Sequence, residues 1–172
     1  MLVNRMKVIL IMAITVDGKI GKSRDHFPDW TGTEDKRLFA KLSKEAGVVI
    51  MGSRTFDTIG KPLPQRKNVI LTRNKSRKSE WENLVYTDKP PPAILSDLEA
   101  EGFTQVVLAG GTLINSLFAQ ARLIDEVIVT VSPFIFGYGL SLFSEEIAMD
   151  LELREVERLG QNLVYLRYHV RK

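Results

Sequence analysis

The first candidate for chemistry is Asp35, which lies near the start of a predicted helix. Residues 31–34 read TGTE, the spacing of a capping box in which Thr and Glu side chains bind free backbone N–H groups. The helix is therefore expected to open near Thr31. Asp35 lies three and four residues before Leu38 and Phe39, on the stripe that the helix turns inward. A carboxylate there needs a partner or a chemical role. A helix N-terminus alone also favours an aspartate, so both explanations stay open.

Two polar turns that follow predicted strands could bind phosphate groups. At residues 52–55 the sequence GSRT combines backbone donors with the Arg54 guanidinium. At residues 110–112 the sequence GGT has paired glycines, which let a ligand approach the backbone closely. Neither turn has the G-x-G-x-x-G fingerprint, and each alone could be a plain tight turn. Two of them together favour a ligand, because open α/β sheets bind ligands at the carboxyl ends of their strands.

Two arginines have positions that suit anionic groups on a ligand. Arg73 follows a predicted strand end and could bind a second phosphate, such as the 2′-phosphate that distinguishes NADPH from NADH. The basic side chains after it, in residues 74–83, are expected to form an exposed loop. Arg66 lies in the proline-stiffened loop 60–68, which suits a clamp for a substrate carboxylate but equally a rigid connector.

Length and composition indicate a single domain, residues 1–172, that folds by itself, since 44% of the 172 residues are hydrophobic and 26% are charged. The chain has no cysteine, which excludes disulfides, thiolate metal sites and a cysteine nucleophile. Its two histidines, His26 and His169, lie far apart, so neither a histidine-based metal site nor a Ser-His-Asp triad is expected. The net charge of +3 suits a phosphate-bearing small molecule as well as nucleic acid.

The apolar run Val8–Ile14 is expected to be a buried strand and not a signal peptide. It is too short to span a bilayer, Asp17 follows it closely, and no small-residue cleavage site stands behind it. A cytoplasmic protein without a membrane partner is therefore expected.

Short apolar runs bounded by turn residues predict strands, and apolar residues at helical spacing predict helices. The strands are expected at Met6–Ile14, Val48–Met51, Asn68–Thr72, Leu84–Thr87, Val106–Ala109, Val127–Ile135, Leu151–Arg158 and Leu163–Val170. Helices are expected along two apolar stripes, in a short segment after residue 54, and between Pro91 and Gly102. The first stripe is Leu38, Leu42 and Ala46 with Phe39, and the second is Leu113, Leu117 and Ala121 with Ile114 and Phe118. This order predicts a three-layer α/β fold with a mostly parallel central sheet of about eight strands, helices on both faces and a C-terminal antiparallel hairpin.

The segment Val49–Arg73 reads VIMGSRTFDTIGKPLPQRKNVILTR. Its order of Gly, Thr, Gly, Pro-Leu-Pro, Arg and Asn resembles the central block of the dihydrofolate reductase family, and the similarity runs over essentially the whole chain. The resemblance implies that family's fold and NADPH-dependent reduction of 7,8-dihydrofolate to tetrahydrofolate. In that reaction hydride reaches C6 of the pterin while N5 gains a proton, so the site needs an acid or carboxylate to orient and polarise the pterin.

The resemblance also implies roles for individual positions, with no metal site. Catalytic positions are Trp30 and Asp35. Substrate positions are Ile11, Asp35, Phe39, Leu63, Arg66 and Thr130. Cofactor positions are Ala13, Ile20, Gly21, Gly52, Ser53, Arg54, Thr55, Leu71, Thr72, Arg73, Gly110, Gly111, Thr112 and Leu113. The loop Lys22–Trp30 matches the mobile lid over the active site. Burial would raise the pKa of Asp35 and the helix N-terminus would lower it, and the sequence leaves the balance open.

Two stretches, MAITVDGKIG at residues 12–21 and residues 110–143, are more similar to the reductase domain of riboflavin biosynthesis. That domain shares the fold, uses NADPH and acts on a ribosylamino-pyrimidine phosphate. The lid is longer than in typical dihydrofolate reductases, and Asn115 replaces a tyrosine that is common near the nicotinamide. Asp35, Phe39 and Arg66 together favour folate, with the pyrimidine reductase as the alternative. The H-x-E and P-C-x-x-C motifs of a fused deaminase do not occur.

A third possibility is a non-catalytic basic module that binds nucleotides or nucleic acid. The aromatic residues do not interleave with Lys and Arg as a base-stacking surface requires, so a nucleic-acid partner is not expected. The apolar segment Val131–Phe143 could contribute to a dimer contact or to the core, and a homodimer is the expectation.

Overall fold

The computed structural model describes residues 5–26 and 28–172. Along these residues the strands are β1 (Lys7–Thr15), β2 (Lys19–Gly21), β3 (Val48–Gly52), β4 (Lys67–Leu71), β5 (Leu84–Thr87), β6 (Gln105–Leu108), β7 (Glu126–Ser132), β8 (Leu140–Ser141), β9 (Leu151–Leu159) and β10 (Leu163–Val170). The helices are α1 (Thr33–Ala46), α2 (Ser53–Ile59), α3 (Pro91–Ala100) and α4 (Thr112–Gln120).

Eight of these strands form one sheet in the order β5-β4-β3-β6-β1-β7-β10-β9. The six strands from β5 to β7 are parallel to one another, whereas β10 is antiparallel to both β7 and β9. The predicted α/β architecture and the C-terminal hairpin are confirmed. Because the parallel strands end at the same edge, the loops after β1, β3, β4, β6 and β7 meet there, where ligands of open α/β sheets bind.

Helices cover both faces of the sheet, and each face has its own apolar core. Alternate residues of β1 show the division, since Val8 and Leu10 pack with α3 and α4 while Ile9 and Ile11 pack on the side of α1 and α2. Most of these sheet residues are almost fully buried, as expected for parallel strands covered on both sides. The second face places α1 over β3 and β6, with Asp35 of its first turn near Thr130 of β7.

Three predictions about local structure are wrong. Strand β7 ends at Ser132 and not at Ile135, because Pro133 has no N–H to continue the ladder. In α4 the buried face contains Ile114, Phe118 and Ala119. Ile114 and Phe118 were part of the predicted stripe, but Leu113 and Leu117, which were also part of it, are 54% and 38% exposed, so the stripe is right at the first pair and wrong at the second. Strands β2 and β8, which pair with each other, were not predicted, because two or three residues carry no measurable period.

The predicted capping box does not form. Helix α1 begins at Thr33 with Gly32 at the N-cap, and no side chain caps it. The N-cap is one residue later than expected, so Thr31 and Glu34 no longer occupy the N-cap and N3 positions that a capping box needs. The Thr31 hydroxyl instead faces the carboxyl group of Asp35.

Two searches of residues 5–26 and 28–172 gave negative results. No helix there is long and apolar enough to cross a bilayer. No group of three or more His, Cys, Asp or Glu side chains there is arranged to hold a metal ion.

Candidate active site

A buried carboxylate lies at the carboxyl edge of the sheet. Asp35 is 8% exposed, and it makes no ion pair with any residue that the structure describes. Burial raises its pKa above the usual value, although the Thr31 and Thr130 hydroxyls and the Lys36 ammonium act in the opposite direction. Thr130 Oγ1 is itself buried, with no well-formed hydrogen bond to the described residues. The site therefore holds a carboxyl group whose pKa is raised by burial, beside a hydroxyl that has no other described hydrogen-bond partner.

The inner face of α1 carries more than this carboxyl group. Asp35, Phe39 and Ser43 follow at intervals of four residues, so they lie in one row along the helix. Asp35 and Ser43 are buried, and Phe39 is partly buried against the core that also contains Leu63 and Ile11. The row spans about 12 Å from Asp35 to Ser43 at the rise of an α-helix. Ser43 was not among the predicted site residues.

The far end of this row meets the buried guanidinium of Arg66. Arg66 is 6% exposed, and none of the described carboxylates forms an ion pair with it. Its Nε donates to Pro64 O at 2.9 Å, and its Nη1 donates to Ser43 Oγ. Burial lowers the pKa of this guanidinium, which still remains charged at neutral pH. A buried cation without an anion is costly unless a ligand supplies the anion.

Aromatic side chains of the loop after β7 pack against Trp30, which lies five residues before Asp35 in the sequence. The Trp30 ring contacts Phe136 edge-on at a centroid distance of 5.1 Å and Phe134 at 6.3 Å. Trp30 Nε1 is buried without a hydrogen-bond partner in the described part of the chain. Within the predicted lid, Lys22–Trp30, Phe27 lies outside the described residues.

The stem of the lid is attached to the loop that follows β7. Asp17 Oδ1 accepts hydrogen bonds from Thr15 Oγ1 at 2.6 Å and Phe136 N at 3.2 Å, and its Oδ2 accepts one from Gly137 N at 2.7 Å. The Thr15 hydroxyl is the main cause of a lowered pKa for Asp17. Strand β2, which contains Ile20 and Gly21, pairs with β8 beyond the same loop. Sequence reasoning missed both contacts, because the partners are more than a hundred residues apart.

The turn at Gly110 and Gly111 is a tight cradle at the end of β6. Gly110 has φ +85°, and a Cβ there would lie 3.1 Å from Met12 Sδ and Cε. Gly110 O accepts a hydrogen bond from Gly52 N at 2.8 Å, which joins the two predicted phosphate turns. Thr112 Oγ1, at the start of α4, is buried and has no described partner. Backbone without side chains, a free hydroxyl and a helix N-terminus suit the diphosphate of a dinucleotide.

Basic side chains lie at the end of this cradle nearest α2. Arg54 and Arg73 are exposed, and the described carboxylates form no ion pair with either one. Arg77 differs, since it forms a bidentate pair with Asp57 at 2.6 and 2.7 Å and lies over the Tyr86 ring. This pair lowers the pKa of Asp57. The prediction of an exposed basic loop is therefore wrong at Arg77. A cavity of about 360 Å³ is lined by Asp25, Arg54, Asp57 and Thr58.

The predicted site residues differ in how far they are exposed to solvent. Ile11, Gly21, Asp35, Arg66, Gly110 and Thr130 are buried. Ala13, Ile20, Trp30, Phe39, Gly52, Ser53, Thr55, Leu63, Leu71, Thr72, Gly111 and Thr112 are partly buried. Arg54, Arg73 and Leu113 are exposed. Asn115 is fully buried, and its Nδ2 donates to Leu142 O at 2.9 Å while Oδ1 has no described partner.

The family model of the RibD C-terminal domain matches residues 6–165, which is most of the chain. The chain belongs to the RibD C-terminal domain family. Among curated relatives of this family member, the uncharacterized protein YwjB of Bacillus subtilis is 26% identical over 163 residues, which cover 90% of this chain and 93% of YwjB. Dihydrofolate reductase type 3 of Salmonella typhimurium is 34% identical over 116 residues, which cover 67% of this chain and 65% of that protein.

Solved structures show the same fold. A deaminase and 5-amino-6-(5-phosphoribosylamino)uracil reductase of Thermotoga maritima superposes with a TM-score of 0.81 at 19% identity, covering 96% of this chain and 57% of that one. Dihydrofolate reductase of Enterococcus faecalis, complexed with NADP(H), superposes with a TM-score of 0.71 at 21% identity and covers 98% of both chains. At these identities the likeness shows the fold alone.

The comparisons confirm a reductase family with a dihydrofolate reductase-like fold. They favour the riboflavin type, the alternative of the sequence analysis, over dihydrofolate reductase itself.

Proposed function

We propose that this chain is an NADPH-dependent reductase whose substrate is 7,8-dihydrofolate. The observation that carries this proposal is the pair of opposite groups at the two ends of the α1 row, the Asp35 carboxyl and the Arg66 guanidinium. Each is buried without a charged partner among the described residues. They are separated by roughly the 12 Å that the row spans along α1. A substrate with a polar heterocycle at one end and a carboxylate at the other would satisfy both groups.

The surfaces between the two groups suit the middle of such a substrate. Phe39, Leu63 and Ile11 are apolar and contribute to one packed cluster. A flat aromatic ring could lie on these side chains, since aromatic contacts favour offset or edge arrangements at short distance. Asp35, with Thr130, would bind the heterocycle, and Arg66 would bind the terminal carboxylate through a charge-assisted hydrogen bond.

The residues at the carboxyl edge fit NADPH. The side-chain-free turn at Gly110 and the free Thr112 hydroxyl would hold the diphosphate, and Arg54 and Arg73 would bind the 2′-phosphate. The resemblance implies contacts of Ala13, Ile20 and Gly21 with the nicotinamide. When bound, the cofactor supplies a hydride. This proposal gains support from the NADP(H) complex of the E. faecalis relative.

Asp35 is the residue that this chain contributes to the chemistry. Burial raises the pKa of Asp35, and in its protonated form the carboxyl group can donate a hydrogen bond to the heterocycle and so make C6 more electrophilic. In the balanced reaction, C6 gains a hydride and N5 gains a proton that comes from solvent, while NADPH becomes NADP⁺. Trp30 and its aromatic neighbours would keep bulk water from this end of the site.

The second candidate is the reductase of riboflavin biosynthesis, which acts on a ribosylamino-pyrimidine phosphate. The family match and the T. maritima neighbour favour it. Such a substrate carries a phosphate, which Arg66 could also bind. Its polar ribosyl chain would lie between the heterocycle and the phosphate, whereas the surface between Asp35 and Arg66 is apolar and suits an aromatic ring, and for that reason it ranks second on the geometry.

The test is loss of NADPH absorbance with dihydrofolate and, in parallel, with the ribosylamino-pyrimidine phosphate. Turnover of dihydrofolate that depends on Asp35 and Arg66 would support the proposal. Turnover of the pyrimidine alone would assign the protein to riboflavin synthesis and refute it. The exposed Glu45→Gln variant is a suitable control, because it changes a carboxyl group on α1 outside the inner row.

We also propose a homodimer built on the segment 131–143, in a single cytoplasmic domain. Phe134, Ile135 and Tyr138 of this segment are 44%, 73% and 89% exposed, which leaves an apolar surface for a second copy. Light scattering on the purified protein measures the mass in solution. A monomeric mass at micromolar concentration would refute the dimer.

A further inference from the structure

Ser43 is a polar side chain on the inner face of α1, in the row that also contains Phe39. It is 0% exposed, and its hydroxyl donates to Phe39 O at 2.6 Å. Such a bond to the preceding turn competes with the helical backbone bond and slightly destabilises a helix. Stability alone would favour an alanine at this buried position, so the hydroxyl needs another explanation.

The second contact of the Ser43 hydroxyl, with Arg66, explains why a serine occupies this position. Because the Ser43 proton is donated to Phe39 O, the oxygen has only lone pairs to offer, and Arg66 Nη1 donates to it. Arg66 Nε donates to Pro64 O. Two of the three guanidinium nitrogens are thereby fixed. The third, Nη2, donates to no described residue and is not among the polar atoms shut off from solvent.

The backbone that carries Arg66 is held as firmly as its side chain. Asn68 Oδ1 accepts a hydrogen bond from Leu63 N at 2.9 Å, and Asn68 Nδ2 donates to Leu63 O at 2.9 Å and to Arg66 O at 3.0 Å. Asn83 Nδ2 donates to the same two carbonyls at 3.1 and 3.2 Å. The guanidinium therefore has little freedom left, and its orientation is set by its hydrogen bonds to Pro64 O and to the Ser43 hydroxyl, the only side chain of the two.

We propose that Ser43 is a positioning residue that holds the Arg66 guanidinium with Nη2 free for the carboxylate of the substrate. The proposal rests on the proposed function, because it takes the ligand to be an elongated dihydropterin with a terminal carboxylate. A preformed clamp binds more tightly than a mobile arginine, since the side-chain entropy has been lost before the substrate arrives. Ser43 thereby acts on the binding of the substrate tail and not on hydride transfer.

The experiment compares Ser43→Thr with Ser43→Val, because Thr and Val have nearly the same shape and differ in the hydroxyl. Each variant is assayed with dihydrofolate and with dihydrobiopterin, a dihydropterin without a carboxylate. Ser43→Val is expected to raise the KM for dihydrofolate about tenfold, which equals about 1.4 kcal/mol, and to leave the KM for dihydrobiopterin unchanged. Ser43→Thr is expected to restore the KM for dihydrofolate. Ser96→Val, at an exposed position of α3, controls for the cost of Val in a helix.

Other outcomes would overturn the proposal. An equal rise of KM for both substrates, or equal effects of Thr and Val, would make Ser43 a structural residue. In an Arg66→Leu background, a further tenfold effect of Ser43→Val would also refute it, because the two changes should not add.

Failure of the proposed function gives a different pattern. If the unmodified protein reduces neither pterin, binding of folate and of biopterin is measured by tryptophan fluorescence. Loss of folate binding alone in Ser43→Val, with Thr rescue, would keep Ser43 as the positioning residue. No difference between Thr and Val would remove that role.

Discussion

Replacement of Asp35 by Asn changes the ionisation of the buried carboxyl group and almost nothing else. The amide has the same shape and can still bond to the Thr31 and Thr130 hydroxyls that face this position. Because Asp35 is 8% exposed and makes no ion pair with the described residues, its negative form has lost water without gaining a charged partner. The variant therefore separates the cost of the charge from the fit of the side chain.

The effect on stability has a definite sign. Burial raises the pKa of Asp35 above its ordinary value of 3.8, so the folded protein loses stability as pH rises from 3.8 through the raised pKa. Asn does not ionise and escapes this loss. Each tenfold weakening of the acid adds about 1.4 kcal/mol to the advantage of the variant above that pH. Urea unfolding at pH 4 and pH 8 measures this gain in the free energy of unfolding. The cost of burying an amide is the same at both pH values, so it cancels when the effect of the substitution at pH 4 is subtracted from its effect at pH 8.

The effect on turnover is expected to be opposite. Loss of one positioned acid lowers kcat about 10²- to 10⁴-fold, while NADPH affinity stays the same because no predicted cofactor residue changes. In the unmodified protein, kcat/KM should fall as pH rises through the pKa of Asp35, and the variant should show no such fall. An advantage of Asn that shrinks at pH 8 would show that the ionised carboxylate is stabilised. Unchanged turnover would remove Asp35 from the mechanism.

Three further predictions concern the cofactor side and the lid. Gly110→Ala should raise the Kd for NADPH more than tenfold in a fluorescence titration, because its Cβ would meet Met12 at 3.1 Å and φ is +85°. Gly111→Ala should have a milder effect, because its Cβ would lie 3.4 Å from Thr55 Oγ1. Equal effects of the two variants would contradict the proposed role of Gly110 in the cradle. Arg54→Ala and Arg73→Ala should each raise the KM for NADPH about tenfold without changing the KM for NADH, and an equal loss with both cofactors would remove them from 2′-phosphate binding. Asp17→Asn should speed hydrogen exchange of the Phe136 and Gly137 amides at pH 7, because their bonds to the carboxylate are weakened. The unmodified protein should show the same change only as pH falls through the lowered pKa of Asp17. Unchanged exchange in the variant would show that Asp17 does not hold this loop.

Most of the sheet could be predicted, because buried parallel strands appear in a sequence as continuous apolar runs. Leu84–Thr87 and Leu163–Val170 match the predicted bounds, and other strands differ by one to three residues at their ends. The errors have local causes. Pro133 ends β7 early, and β2 and β8 exist only because they pair with each other, so neither carries its own signal in the sequence.

The direction of Asp35 could be predicted from helical spacing, but the function of Ser43 could not. A serine inside a helix normally faces water, and its partner Arg66 lies 23 residues further along the chain. One signal was available, since Asp35, Phe39 and Ser43 recur every four residues. A polar residue that continues the row of a buried carboxylate and an aromatic ring is a candidate for the same site. The sequence likewise predicts Arg77 in a solvated loop, because its partner Asp57 lies 20 residues earlier and only the fold places the two side chains together.

The choice between dihydrofolate and the pyrimidine depends on which segments of the chain lie near the substrate and which lie near the cofactor. The stretches that resemble the riboflavin reductase, residues 12–21 and 110–143, form the end of β1, the glycine cradle and the loop that Asp17 holds. Apart from Thr130, which lies beside Asp35, these parts would face the cofactor and the lid, and both candidate reactions would use the same cofactor. Asp35 and Arg66 would touch a substrate, and Ser43 would hold Arg66 in position; these three residues lie on α1 and the loop before β4. We therefore infer that similarity averaged over the chain reports mainly on the cofactor, while α1 and its arginine decide the substrate.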